Sequence, residues 1–157
     1  KTITINDSGS CRFNRTTGEM TLSKEYMRED KGIVIHEVAH ALETELDIFH
    51  EPEFNSLLFG VAGNKTMADI FVVDYGKGAT RTLIYDERFV SEYQGVVYEE
   101  DIDGNPRIDY KNKRINPKCL GEYFSEGYRE MLLNPKELKR KDKALYAYLK
   151  RMMRDDD

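Results

Sequence analysis

Apolar and polar residues alternate from residue 2 to 5, and two short β-like runs flank a turn at Thr17-Gly18 in the stretch RFNRTTGEMTL, residues 12–22. A period of two is what a half-buried strand produces, so this region predicts small strands or a hairpin. Over residues 32–46 the period lengthens: Ile35, Val38, Ala39, Leu42 and Leu46 recur at helical spacing behind Asp30, a residue type suited to capping a helix. Pro52 fits the first turn of another helix reaching about Phe59, with residues 60–64 closing it. IFVVDY and TRTLIYD, separated by Gly76-Lys77-Gly78-Ala79, read as one β-hairpin, and VVYEED and PRIDYK, separated by Asp103-Gly104-Asn105, read as a second. Helical spacing returns at Asn116, with Pro117 behind it, and runs to about Leu133, where Asn134-Pro135 ends it. A last helix or helix pair covers residues 136–154, with Leu138, Leu145, Tyr148, Leu149 and Met152 as its apolar stripe. The fold class predicted is α+β.

Length and composition narrow the class. The chain has 157 residues, the size of a single domain, and is 39% hydrophobic and 34% charged. No apolar run is long enough to cross a bilayer, so a soluble protein with no membrane partner is expected. A formal charge of -5 argues against nucleic acid as the main partner. The basic stretch over residues 136–154, followed by Asp155, Asp156 and Asp157, reads as a solvated helix face with an acidic tail. Cys11 and Cys119 have no CxxC spacing, which excludes a zinc knuckle or a redox motif. Two buried thiols are expected, with a single disulfide and the redox compartment left open. A chain that starts at a lysine, with neither a start methionine nor a signal peptide, suggests a domain excised from a longer parent, whose other domains are then candidate partners. Localisation stays open.

The chemistry is concentrated in IVIHEVAHALE, residues 33–43. On a helix His36 and His40 stand one turn apart, close enough for both imidazoles to reach one tetrahedral zinc. Glu37 then projects beside them, where the HExxH chemistry uses a glutamate as general base rather than as a ligand. The competing reading is an amphipathic helix whose histidines are simply hydrogen-bonded, but the pattern is rare by chance in a chain this short. A catalytic zinc takes three protein ligands and a water, so a third donor is needed. Glu43 is too far along a straight helix to share one ion with both histidines. The metzincin pattern fails, because Glu43 and Leu46 stand where it requires a glycine and a histidine. His50 stays a secondary candidate.

The leading candidate lies in GEYFSEGYREML, residues 121–132. Glu122 and Glu126 are four apart among Tyr123, Phe124, Tyr128, Met131 and Leu132. Like charges at that spacing repel, and beside apolar surface they need cationic or proton-donating company. A zinc and its histidines would provide it, with Glu122 on the metal and Glu126 orienting a histidine through its free ring N–H.

HEVAH followed by EYFSE resembles the gluzincin pattern of the anthrax lethal factor catalytic domain and the Pro-Pro endopeptidases, in which HExxH is completed by E-[FY]-F-[AS]-E. It is also similar to the metallopeptidase-like domains attached to phage minor head proteins, through FVSEYQGVVY and NPKELKRKDKALYAYLKRM. The resemblance implies a zincin-like fold, His36, His40 and Glu122 as Zn2+ ligands, Glu37 as general base, Glu126 behind the ligands, and a peptide or protein substrate. It also implies a tyrosine that stabilises the oxyanion. Ser91-Glu92-Tyr93-Gln94-Gly95 looks like the corresponding segment and nominates Tyr93, with Tyr98 and Tyr110 as alternatives. Residues 96–120 form an insertion relative to that pattern, expected as a hairpin near the cleft. An edge strand at residues 19–22 is expected to pair with extended substrate. Two other classes remain: a non-catalytic, zinc-stabilised assembly module of a phage head or toxin protein, and a binding domain that uses the basic C-terminal helix.

Overall fold

The computed structural model describes residues 2–155, so Asp156 and Asp157 of the acidic tail lie outside the described residues. The chain divides into two compact units, one up to Ile48 and the other from Phe49 onward.

In the first unit, β1 (Ile3–Asn6), β2 (Arg12–Phe13) and β3 (Met20–Ser23) form a sheet in the order β1-β3-β2. β1 runs parallel to β3, Ile3 opposite Met20 and Asn6 opposite Ser23, while β2 is antiparallel to it. The strand expected at an edge is therefore central. Its backbone groups are taken on one side by β1 and on the other by β2 and the Cys11 thiol, which accepts from the Ser23 N–H at 3.2 Å. Cys11 is half-buried and Cys119 buried, and both are free thiols.

A helix that the spacing did not predict follows directly: α1 (Lys24–Glu29), whose first turn is capped by the Ser23 hydroxyl accepting from the Tyr26 N–H. α2 (Ile33–Glu45) comes next. Its N-cap position is Gly32, and Asp30 contributes from two residues further out, its carboxylate accepting from the Gly32 N–H at 3.1 Å. α2 buries Ile33, His36, Glu37, Ala39, His40 and Glu43. Val38 and Leu46, expected on its apolar face, are 38% and 43% exposed. Four ionisable side chains thus occupy the face that a purely structural helix would fill with aliphatic ones.

The second unit is built from α3 (Pro52–Ala62), the hairpin β4 (Phe71–Asp74) and β5 (Thr80–Leu83), the short pair β6 (Ile108–Asp109) and β7 (Arg114–Ile115), and α4 (Tyr123–Leu133), α5 (Pro135–Lys141) and α6 (Lys143–Asp155). Phe54 is fully buried at its centre, edge-on to Phe49 and Phe124 and stacked on Tyr123. Leu138, Leu145, Tyr148 and Leu149 are buried with it, as the stripe predicts. Asp142 separates α5 from α6: one carboxylate oxygen accepts from the Leu145 N–H and the other from the Tyr123 hydroxyl, which pins the break to the core.

Two predicted elements come out differently. Residues 96–101 form no strand ladder with residues 106–111; a single bridge joins Glu100 and Pro106. The Asp101 carboxylate takes the backbone N–H groups of Asp103 and Asn105, and Pro106 has no N–H to give, so the chain turns without propagating a ladder. Ile108 and Asp109 pair instead with Arg114 and Ile115. The helix expected over residues 116–133 is broken. Asn116 caps a 3-10 turn at Pro117–Cys119, and α4 starts only after Gly121, with Glu122 in its N-cap position. A side chain at Gly121 would lie 2.8 Å from the Tyr98 ring, so glycine is what lets that ring come up against this corner.

Candidate metal centre

α2 delivers two imidazoles by its own geometry. The rings of His36 and His40 meet edge to face, 4.7 Å between centroids and 84° between planes, with their Nε2 atoms 3.0 Å apart. Both nitrogens converge on one point beside the helix, which is the disposition a shared cation needs. Glu37, next to His36 in sequence, is buried with them. His40 Nδ1 lies 3.0 Å from Glu43 Oε2, and the Arg15 guanidinium donates to that same oxygen at 2.7 Å. Position along the helix excluded Glu43 as a ligand, and the structure gives it another place, at the back of His40. The spacing of three residues between His40 and Glu43 was the signal available for this.

The second unit presents Glu122, buried at the start of α4. Its side chain makes no capping bond, so the carboxylate is left to outside donors: the Tyr98 hydroxyl donates to Oε1 at 2.5 Å and the Ser125 hydroxyl to Oε2 at 3.0 Å. The positive end of the helix dipole adds to their support of an ionised carboxylate. Burial, followed by the Glu122 charge, pushes the Tyr98 phenol well above the ordinary tyrosine range, which keeps it a neutral donor. Tyr93, in the 3-10 turn Glu92–Gly95, is hydrogen-bonded to Tyr98 and to Arg81. That contact is the main reason the Arg81 guanidinium is held even more firmly charged. Glu126 accepts from the Ser91 hydroxyl at 3.1 Å. The company these two glutamates require is thus partly supplied by hydroxyl groups.

The remaining candidates stand elsewhere. Tyr110 is 74% exposed. His50 is paired with Asp103 at 2.7 Å, and Asp103 also accepts from Lys118. Among the described residues, the grouped metal-ligating side chains are His36, His40 and Glu122: one donor atom from each lies within 4.8 Å of the others. Two neutral imidazole nitrogens and one carboxylate oxygen form a donor set that suits a divalent cation such as zinc.

Among the described residues no helix is long and apolar enough to cross a membrane. Comparison with models of protein families, with curated proteins and with solved structures finds no match to this chain.

Proposed function

We propose that this chain is a zinc-dependent endopeptidase domain of gluzincin type, with His36, His40 and Glu122 as the ligands and Glu37 as the general base. The observation that carries the reading is the grouping of those three donors around a helix that buries Glu37 on the same face. The likeness of HEVAH and EYFSE to the gluzincin motifs supports it. Zinc, when bound, supplies a Lewis acid that acidifies a water and polarises a peptide carbonyl. The Glu37 carboxylate accepts the proton of the attacking water and returns it to the leaving amine. Tyr93 donates its phenolic hydrogen to the developing oxyanion, with Arg81 bonded to it as a neighbouring positive charge. Tyr98 and Ser125 hold the two oxygens of Glu122, and Glu126 keeps the role of orienting a histidine ligand that the motif assigns to it. The substrate is a peptide or protein. Because β3 is central, substrate backbone pairing at residues 19–22 has no place in this account.

The test is hydrolysis of a degenerate peptide library by the zinc-loaded protein, wild type beside Glu37→Gln. Cleavage by the wild type that falls about 10²–10⁴-fold in the variant, with zinc still bound, supports the assignment. Cleavage that survives the substitution contradicts the mechanism. A zinc-loaded wild type that cuts nothing points to the alternative reading, a metal-stabilised assembly module.

A further inference from the structure

Arg15 and Glu43 have no part in the mechanism above, yet they form an ion pair whose carboxylate is almost wholly buried. The Glu43 side chain is 1% exposed, and its Oε1 has no hydrogen-bond partner among the described residues. Keeping an ionised carboxylate in such a place is costly, and an apolar residue of similar size would serve packing as well or better. What the pair does is directional. Oε2 accepts from Arg15 at 2.7 Å and faces His40 Nδ1 at 3.0 Å.

Arg15 is itself held in place. It sits in the turn between β2 and β3, where the Asn14 side chain accepts from the N–H groups of Thr16 and Thr17, and the Asn14 backbone closes the turn to Gly18 and Glu19. Arg15 Nη2 also lies 3.4 Å from His40 Nδ1, but the closer neighbour of that nitrogen is the Glu43 oxygen at 3.0 Å, and an ionised carboxylate only accepts, which places the proton of the neutral His40 ring on Nδ1. That leaves the Nε2 lone pair directed at His36, whose own Nε2 is 3.0 Å away.

We infer that Arg15 and Glu43 are positioning residues that lock His40 in the tautomer and orientation required for metal binding, so that the β2–β3 turn is a working part of the metal centre. The inference rests on the reading of His36 and His40 as ligands. Carboxylate partners of this kind typically change metal affinity 10–100-fold. Arg15 acts through Glu43, fixing its charge and its direction.

The experiment has two arms. Zinc affinity is measured by competition with a chromophoric chelator for wild type, Glu43→Gln, Arg15→Met and Arg15→Lys, each checked for folding by circular dichroism. Glu43→Gln should weaken binding by about 10–100-fold. Arg15→Met should weaken it less, and Arg15→Lys should recover most of that loss. Arg15 is 36% exposed at its side chain, so its variants keep the test open should Glu43→Gln fail to fold. The second arm, long-range proton–nitrogen NMR of the metal-free protein, should find His40 protonated on Nδ1 in the wild type and on a mixture of nitrogens in Glu43→Gln. Unchanged affinity in these variants, or a wild-type His40 protonated on Nε2, overturns the inference while leaving the ligand assignment intact. A wild type that binds no zinc overturns the ligand assignment, and this inference with it.

Discussion

The two histidines and the glutamate reach the candidate centre by different routes. His36 and His40 are set by one continuous helix, and a spacing of four residues is enough to bring their Nε2 atoms to 3.0 Å. Glu122 belongs to no such local pattern. It occupies a helix N-cap after a broken turn, and its carboxylate is oriented by Tyr98, which lies 24 residues away in the sequence. A local motif carries its geometry with it, whereas a ligand placed by a chain corner depends on everything that builds the corner. In this chain that includes Gly121, against which the Tyr98 ring is packed.

This contrast can be broken most sharply by removing a helix-borne ligand. His36→Ala should lower zinc affinity by more than the roughly 10–100-fold that outer partners account for, with α2 still formed, as read by chelator competition and circular dichroism. A drop of a few-fold or less would mean that His36 is no ligand.

Tyr98→Phe tests the corner. Loss of the hydroxyl that holds Glu122 should weaken zinc about 10-fold, the lower end for such partners, and Tyr93→Phe should leave zinc binding unchanged while lowering kcat. The reverse pattern would exchange the roles of the two tyrosines. The pair of variants therefore separates orientation of a ligand from stabilisation of an oxyanion.

The smallest effect expected comes from a charge that serves the fold and not the site. Burial would raise the Asp86 carboxyl, but hydrogen bonds and charge from Arg88 outweigh it and hold the group below its usual range. A carboxyl depressed in the folded state contributes stability that is present above its unfolded pKa and is lost as the pH falls through the folded one. Urea midpoints should therefore decline on acidification from about pH 5, and Asp86→Asn should flatten that decline. A variant with an undiminished acid slope would remove Asp86 from the account.

Legibility in the sequence follows the same division between local and distant causes. The β4–β5 hairpin and α2, α3, α5 and α6 are written in short-range periodicity and in Gly, Asn and Pro punctuation, and each stands close to where that pattern puts it. α3 runs on to Ala62 because Gly60 did not stop it. The misses are non-local. β3 is central because β1 returns beside it in parallel, and nothing in the alternation of EMTLS, residues 19–23, reveals that second partner. The strand expected at residues 96–101 gave way to an aspartate that gathers the turn's N–H groups. At the site, the spacing of HEVAH pointed to His36 and His40, and a glutamate pair set among apolar residues pointed to Glu122, the three side chains that the structure groups. The hydroxyls of Tyr98 and Ser125 and the carboxylate of Glu43 were not, because a hydrogen-bond partner leaves no period in a sequence.

The most direct test of the central claim is the metal content of the purified protein after exhaustive dialysis without chelator, wild type beside Glu122→Ala. Close to one zinc per chain is expected in the wild type and a marked loss in the variant, with both folded. A folded wild type that holds no metal, or a Glu122→Ala protein that keeps all of its zinc, would contradict that claim.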